Sequence, residues 1–297
     1  MRKLNWIKPA IVAFGFCAVL TACESGGNNT NQPPTQPNVD SLEEAKAAEL
    51  QKIFFSIPAP TEMASLIKNN GYKFDASMLN STENAAKYTG EVKQAINLGI
   101  YGADLSYASI FDQKQESMNY LAAAQKLARQ MGVDGALQDQ MIERLNANQD
   151  NRDSLVNIVS EAYSDLNGYL KENNRVEVSA LVIAGGWMEA LYLSTRYAAG
   201  KDATLKTRIA EQKYSLDNLI QYFDKFGDKE SLREMRADLG KMQVLFNEVQ
   251  VNSGKTNAQK AADGSFVIGN SSSATISDET LKKIETLVAE LRSKYIA

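Results

Sequence analysis

The amino-acid sequence predicts an all-α protein, either a single multi-helix bundle or a helical array of about nine helices. Two observations predict this class. All six prolines lie at or before Pro60, so no proline ring interrupts a helix between Thr61 and Ala297. Over the same residues the apolar side chains recur with the 3.6-residue period of a helix. At 297 residues the chain is long enough for one large domain or two small ones.

Residues 1–22 are predicted to be a removable signal peptide. Arg2, Lys3 and Lys8 precede a short apolar stretch that ends at Ala22. This stretch is too short to cross a bilayer as a helix of the mature protein. A basic start, an apolar centre and a small-residue end are the three parts of a secretory signal.

The four residues Leu20-Thr21-Ala22-Cys23 resemble the lipobox of bacterial lipoproteins. The resemblance implies that Cys23 receives a diacylglycerol, that the chain is cleaved before it, and that two or three acyl chains anchor it firmly. The alternative is an ordinary signal peptide that ends near a cysteine. The other cysteine, Cys17, lies in the removable segment, so the lipidated chain keeps no free thiol. No later stretch approaches 18 uncharged apolar residues, so the lipid is the only membrane attachment that we expect.

Residues 23–40 are predicted to form the lipidated cysteine and a disordered tether. Glu24–Asn38 contain no aliphatic or aromatic residue, so this segment cannot bury apolar surface. The residue after the cysteine is Glu24, and not the Asp that retains enterobacterial lipoproteins in the inner membrane. The resemblance therefore implies the outer membrane, with its periplasmic and surface faces both left open. Residues 41–297 form the predicted helical domain, and the whole resembles uncharacterised all-helical envelope lipoproteins of Bacteroidota.

The helices of the domain are predicted from apolar stripes and their caps. One stripe runs from Leu155 to Leu170 and follows Asp153 and Ser154, either of which is suited to cap a helix. Another runs from Leu205 to Phe223 and ends near Gly227. The remaining helices are predicted at 41–56, 60–69, 92–110, 114–131, 135–148, 176–199, 231–251 and 278–296.

The last two helices have a tighter pattern than the others. Apolar residues in 231–251 and 278–296 follow one another at alternating steps of three and four, which is the seam of coiled-coil-like packing. The pattern predicts an antiparallel pair. Between the two helices, Ser253–Ser277 are predicted to form a long Gly/Ser-rich loop, in which Ser265–Ile268 is the one stretch compatible with a short strand.

The composition excludes several classes of function. The chain contains no histidine, which excludes Ser-His-Asp and Cys-His catalysis and any imidazole metal site. Its formal charge of −4 becomes −7 once the three cations of residues 1–22 are removed, which disfavours nucleic acid as a partner. Gly254-Lys255-Thr256 resembles the end of a phosphate-binding loop, but Val249 stands where that motif needs a glycine. We therefore predict no enzyme, no cofactor and no metal.

Two acidic residues are the candidates for a site. Asp104 emerges from an apolar helix face, and Glu189 follows the mid-helix pair Gly185 and Gly186, with Arg196 two turns further on. A pair of glycines in the middle of a helix indicates either the close approach of another backbone or a wall left open for a ligand. A carboxylate in such a place is either paired or functional, and we expect each acid to be at least half buried.

The sequence is compatible with two functions. The leading interpretation is a non-catalytic, lipid-anchored protein that binds or scaffolds another envelope protein or a glycan. The alternative is a small-molecule or glycan-binding protein, or a carboxylate enzyme, that uses Asp104 and Glu189. In the alternative, four aromatic residues at helical spacing line a ligand pocket, whereas in the leading interpretation they belong to the core: Tyr101, Tyr107, Trp187 and Tyr192.

Overall fold

The computed structural model describes residues 60–136, 143–145, 147–148, 151–198, 202–252, 257–260, 266–269 and 273–297. The predicted signal peptide, the tether and the predicted helix 41–56 lie outside these residues. The described residues form an all-α fold, as the proline distribution and the apolar period predict. The α-helices are α1 (Pro60–Asn69), α2 (Glu91–Ile110), α3 (Lys114–Gln130), α4 (Arg152–Glu172), α5 (Val176–Ala198), α6 (Ala203–Asp224), α7 (Glu230–Phe246) and α8 (Asp278–Ile296).

Three short 3₁₀ turns complete the helical part of the described residues. They span Ala76–Met78, Thr82–Ala86 and Asp134–Ala136. The last of them stands where the sequence predicts the start of a helix over 135–148. Of that predicted helix, residues 143–145 and 147 are helical, and most of the remainder lies outside the described residues.

The start of α4 corrects one predicted cap. The N-cap is Asn151, and not Asp153 or Ser154, so the helix begins at Arg152. Asn151 has the extended backbone of an N-cap, and its side-chain oxygen accepts a hydrogen bond from the backbone N–H of Ser154 at 3.1 Å. Three residues with cap-forming side chains lie close together here, and the helix starts after the first of them.

The segment between α7 and α8 differs from the predicted loop. Helix α7 ends at Phe246, five residues before the predicted end at 251. Strand β1 (Gln250–Asn252) pairs antiparallel with β4 (Ser273–Thr275), and β2 (Asn257–Lys260) pairs antiparallel with β3 (Phe266–Gly269). Only β3 overlaps the stretch that the sequence allows as a strand. Strand β4 lies against α6, and Ala274 is buried there.

Helix α5 lies in the centre of the described fold. It is long and apolar enough to cross a membrane by length and composition, but 83% of its apolar window is buried inside the protein. Helices α2 and α5 share the most extensive contact between helices of the described residues. A Cβ atom on Gly99 would lie 1.9 Å from the carbonyl oxygen of Val182, and one on Gly185 would lie 2.1 Å from that of Ile96. Of the two alternatives for the glycine pair, the close approach of another backbone is therefore the one found.

This contact leads to a prediction about Gly185. We expect Gly185→Ala to lower the free energy of unfolding by about 1–3 kcal/mol, because the backbone of α2 must move to admit the methyl group. Gly168→Ala in α4 is the matched control, since nothing lies within 4 Å of a Cβ there. It should be neutral or raise stability by up to about 1 kcal/mol through helix propensity. Urea unfolding measures both, and equal effects would contradict the tight α2–α5 contact.

The antiparallel packing of α7 and α8 is confirmed. The Tyr295 hydroxyl near the end of α8 donates to Asp238 in the middle of α7 at 2.8 Å, while Thr280 near its start donates to Glu248, just after α7, at 2.8 Å. All the apolar seam residues are buried: Leu232, Met235, Leu239, Met242, Phe246 and Val249 on one side, and Leu281, Ile284, Val288, Leu291 and Tyr295 on the other.

Candidate functional site

Three charged side chains from three helices meet inside the fold, and we call them the buried charge cluster. Asp104 of α2 and Glu189 of α5 have 0% of their surface exposed, and Arg292 of α8 has 6%. The burial predicted for both acids is confirmed. Since a buried charge is costly unless it is paired, the contacts of each member decide what the cluster does.

Arg292 and Glu189 form a two-pronged ion pair. The Arg292 Nε donates to Glu189 Oε2 at 2.5 Å, and its Nη2 donates to Glu189 Oε1 at 2.8 Å. Nη2 also donates to the backbone oxygen of Met78 at 2.9 Å, and the guanidinium lies 4.3 Å from the centre of the Tyr192 ring. Burial acts to lower the pKa of Arg292, but the charge and hydrogen bonds of Glu189 outweigh it and raise that pKa. Two parallel hydrogen bonds therefore fix the geometry of the pair.

Asp104 is held less completely. Its Oδ2 accepts a hydrogen bond from the backbone N–H of Asn80 at 3.2 Å. Its Oδ1 is buried and has no hydrogen-bond donor among the described residues. The carboxyl group is a neighbour of the Glu189 carboxylate, whose charge acts on it. Burial first, and then the charge of Glu189, raise the pKa of Asp104 well above its usual range, although Arg292 acts in the opposite direction.

The glycine contact between α2 and α5 brings the two acids together. The helices run in the same direction, because Ile96 lies against Gly185 and the later residue Tyr107 contacts Tyr197. Glu189 follows Gly185 by about one helical turn, and Asp104 follows Ile96 by about two. Without side chains at the crossing, the two backbones approach closely enough for the carboxyl groups to face one another.

The cation that pairs with Glu189 is one that the sequence does not reveal. Arg196, two turns after Glu189, donates from Nη1 to Glu285 of α8 at 3.2 Å instead. Arg292 lies 103 residues further along the chain than Glu189. The one local signal for it is its position beside Leu291, at the edge of the apolar seam of α8.

The four candidate aromatic residues are all held by contacts inside the protein. The Tyr192 ring lies against the guanidinium of Arg292 in the buried charge cluster. Asp104 is one of the charged groups that act on the Tyr101 hydroxyl. The other polar contacts are Tyr101 Oη to Ser81 O at 2.8 Å, Tyr107 Oη with Tyr197 Oη, Asp75 N to Tyr107 Oη at 3.0 Å, and Trp187 Nε1 to Gln212 Oε1 at 3.1 Å. Tyr101, Tyr107 and Trp187 are buried and Tyr192 is partly buried, so all four rings belong to the packing of the fold.

An apolar cavity of about 40 Å³ lies between α2, α3, α4 and α5. Gly102, Leu121 and Tyr163 are among its lining residues, and neither the two acids nor the four aromatic residues line it. An apolar cavity that binds benzene measures about 150 Å³, so this one is too small for such a ligand. It leaves room for small adjustments of packing.

The described residues contain no group of three or more acidic, histidine or cysteine side chains that could hold a metal ion. In the buried charge cluster the one cation, Arg292, pairs with Glu189, so this ion pair is formed within the protein. Comparison with known protein families, curated proteins and solved structures found no match to the chain.

Proposed function

We infer that the chain is a lipid-anchored, non-catalytic protein of the cell envelope that binds or scaffolds another envelope protein or a glycan. The observation that carries this proposal is that both candidate acids are sealed inside the fold. A general acid or base must come within hydrogen-bonding reach of its substrate. Both oxygens of Glu189 accept hydrogen bonds from Arg292, and Asp104 has 0% of its surface exposed.

The anchor part of the proposal depends on the sequence near Cys23, which lies outside the described residues. The resemblance to a lipobox supports lipidation, and the polar segment after it supports a tether that holds the helical domain near a membrane. The absence of histidine supports a role without catalysis. An outer-membrane location follows from Glu24 by the same resemblance.

The alternative function requires a different geometry. A ligand-binding protein or carboxylate enzyme that uses Asp104 and Glu189 needs both groups to face a space that a ligand can enter. The apolar cavity beside α4 is lined by neither acid, and the guanidinium of Arg292 covers Glu189. The leading proposal is therefore the better supported of the two.

The first test concerns the anchor. We expect Cys23→Ala to move the protein out of the membrane fraction or to leave the precursor uncleaved, because the sulfur that would carry the lipid is gone. Cys17→Ala is the matched control, since it removes a cysteine from the segment that we expect to be discarded. Fractionation and blotting of cell envelopes measure both. A Cys23→Ala protein that is still cleaved and bound to the membrane would contradict the proposal.

The second test concerns binding. Affinity capture with the acylated protein from detergent-solubilised envelopes should recover a defined envelope protein or glycan. A Glu189→Gln variant, compared at a temperature where it is folded, should recover the same component, because Glu189 is buried. Loss of that component with unchanged stability would instead favour the alternative, in which the acids serve a ligand.

A further inference from the structure

The buried charge cluster has one more negative group than positive groups. Glu189 and Asp104 are neighbours in full burial, and Arg292 is the cation that pairs with Glu189. If both carboxyl groups were ionised, the cluster would carry a net charge of −1 in a region that water does not reach. Two neighbouring buried carboxylates repel each other unless one of them holds a proton.

We propose that Asp104 is protonated in the folded protein and donates its Oδ1 proton to the carboxylate of Glu189, so that this proton acts as a pH-dependent lock on the junction of α2, α5 and α8. The proton supplies the donor that the buried Oδ1 otherwise lacks. It also makes the cluster neutral, with one carboxylate, one guanidinium and one carboxylic acid. Every polar atom of the Asp104 carboxyl group then has a partner.

The geometry assigns the proton to Asp104 and not to Glu189. Glu189 accepts two hydrogen bonds from a charged guanidinium, an arrangement that favours its ionised form. Asp104 accepts one hydrogen bond, from the neutral backbone N–H of Asn80. Burial and the Glu189 charge both raise the pKa of Asp104, which agrees with this assignment.

Among the described residues, the groups around Asp104 supply no free cation, so a proton is what neutralises its charge. Burial first, with Asp104 among the neighbouring charges, raises the pKa of each nearby phenol, so the phenols stay neutral. The titratable and charged groups that face Asp104 are Tyr101 on its own helix, Tyr120 on α3, Tyr163 on α4, Glu189 on α5 and Arg292 on α8. Of these groups, Arg292 is the cation, and it already forms an ion pair with Glu189.

The direction of the pH effect follows from the raised pKa. In the unfolded chain Asp104 titrates near its ordinary value of 3.8, whereas in the folded protein it keeps its proton to higher pH. The stabilisation is therefore complete below about pH 4 and is lost as the pH rises toward the folded-state pKa. Above that pKa the junction must hold an uncompensated charge. Acidification within this window therefore stabilises the junction, and a rise in pH destabilises it.

Asp104→Asn tests the lock in the full-length chain. The amide reproduces the protonated acid, since its nitrogen donates to Glu189 and its oxygen accepts from Asn80. We expect the variant to unfold at the same denaturant concentration as the parent or a higher one at neutral pH. As the pH rises from about 4, the parent should lose stability relative to the variant. Unfolding of the parent in this window should release about one proton more per molecule than unfolding of the variant.

Asp238→Asn is the matched control because it makes the same change at a buried carboxylate whose pKa is lowered and not raised. Asp238 has 2% of its surface exposed and is held by Lys241, Lys294 and Tyr295. Burial acts to raise its pKa, but these partners outweigh burial and lower it. This variant should unfold at a lower denaturant concentration than the parent at neutral pH. The difference should shrink as the pH falls, because the parent then loses the charge as well.

Infrared spectroscopy of the folded parent gives a readout that does not depend on the folding of any variant. At neutral pH the parent should show the C=O stretch of a protonated carboxylic acid, which a carboxylate lacks. The band should be lost in Asp104→Asn and kept in Asp238→Asn. A parent without this band would overturn the proposal. So would an Asp104→Asn variant that is destabilised at neutral pH in the same way as Asp238→Asn.

Discussion

Arg292→Met is expected to lower the free energy of unfolding by about 3–5 kcal/mol at neutral pH, the cost of removing one partner of a buried ion pair. The methionine fills much of the same space, so the loss reports chiefly on charge. Without the guanidinium, Glu189 is left ionised or must take up a proton, with Asp104 beside it. The backbone oxygen of Met78 also loses a charged donor. Urea unfolding of the full-length chain measures the effect.

The control for this substitution is Arg233→Met on α7. Arg233 pairs with Asp228 through Nε at 2.9 Å, but both side chains are exposed to water. An exposed pair contributes little, because water and salt screen it. The control should therefore unfold close to the parent. If Arg292→Met unfolded at the same denaturant concentration as Arg233→Met, the buried charge cluster would have no role in stability.

Leu239→Asp is expected to cost at least about 4 kcal/mol and to leave much of the protein unfolded. Leu239 is 3% exposed and lies in the seam between α7 and α8. Truncation of a buried leucine alone costs about 2–5 kcal/mol. An unpaired carboxylate in the same place adds the cost of burying a charge. Leu291→Asp on the facing helix should act in the same direction, and circular dichroism during thermal unfolding measures both.

Val244→Asp provides the matched control on the same helix. Val244 is 65% exposed and faces away from the seam, so an aspartate there remains in water. We expect it to change stability little, since surface substitutions away from special features have small effects. Equal melting temperatures for Leu239→Asp, Leu291→Asp and the parent would mean that the predicted seam is not buried.

The helices could be predicted where the signals are local. Helix α8 has the predicted bounds, because its apolar steps are regular and Ser277 caps it through a hydrogen bond to the Thr280 N–H at 3.0 Å. The end of α7 could not be predicted in this way. It depends on the pairing of Val251 with Ala274, which lie far apart in the sequence. A helical pattern that runs on to Val249 carries no information about that partner strand.

The candidate site could be predicted only where its signals are local, as for the helices. The apolar neighbours of Asp104 and Glu189 indicate burial, and the glycine pair indicates a close backbone. The identity of the cation could not be predicted, because it depends on how α8 packs across α5. Arg196 is near in sequence, whereas Arg292 is near in space. Helical spacing also does not distinguish an aromatic residue that lines a pocket from one that packs in the core.

The most direct test of the account is a double-mutant cycle with Glu189→Gln and Arg292→Met, measured by urea unfolding at neutral pH. These two side chains join α5 to α8, so each single variant should be strongly destabilised. The double variant should lose less than the two single losses together, with a coupling free energy of about 2–3 kcal/mol. Additive effects, or a Glu189→Gln variant as stable as the parent, would contradict the structural role and return both acids to the list of candidate ligand-binding groups.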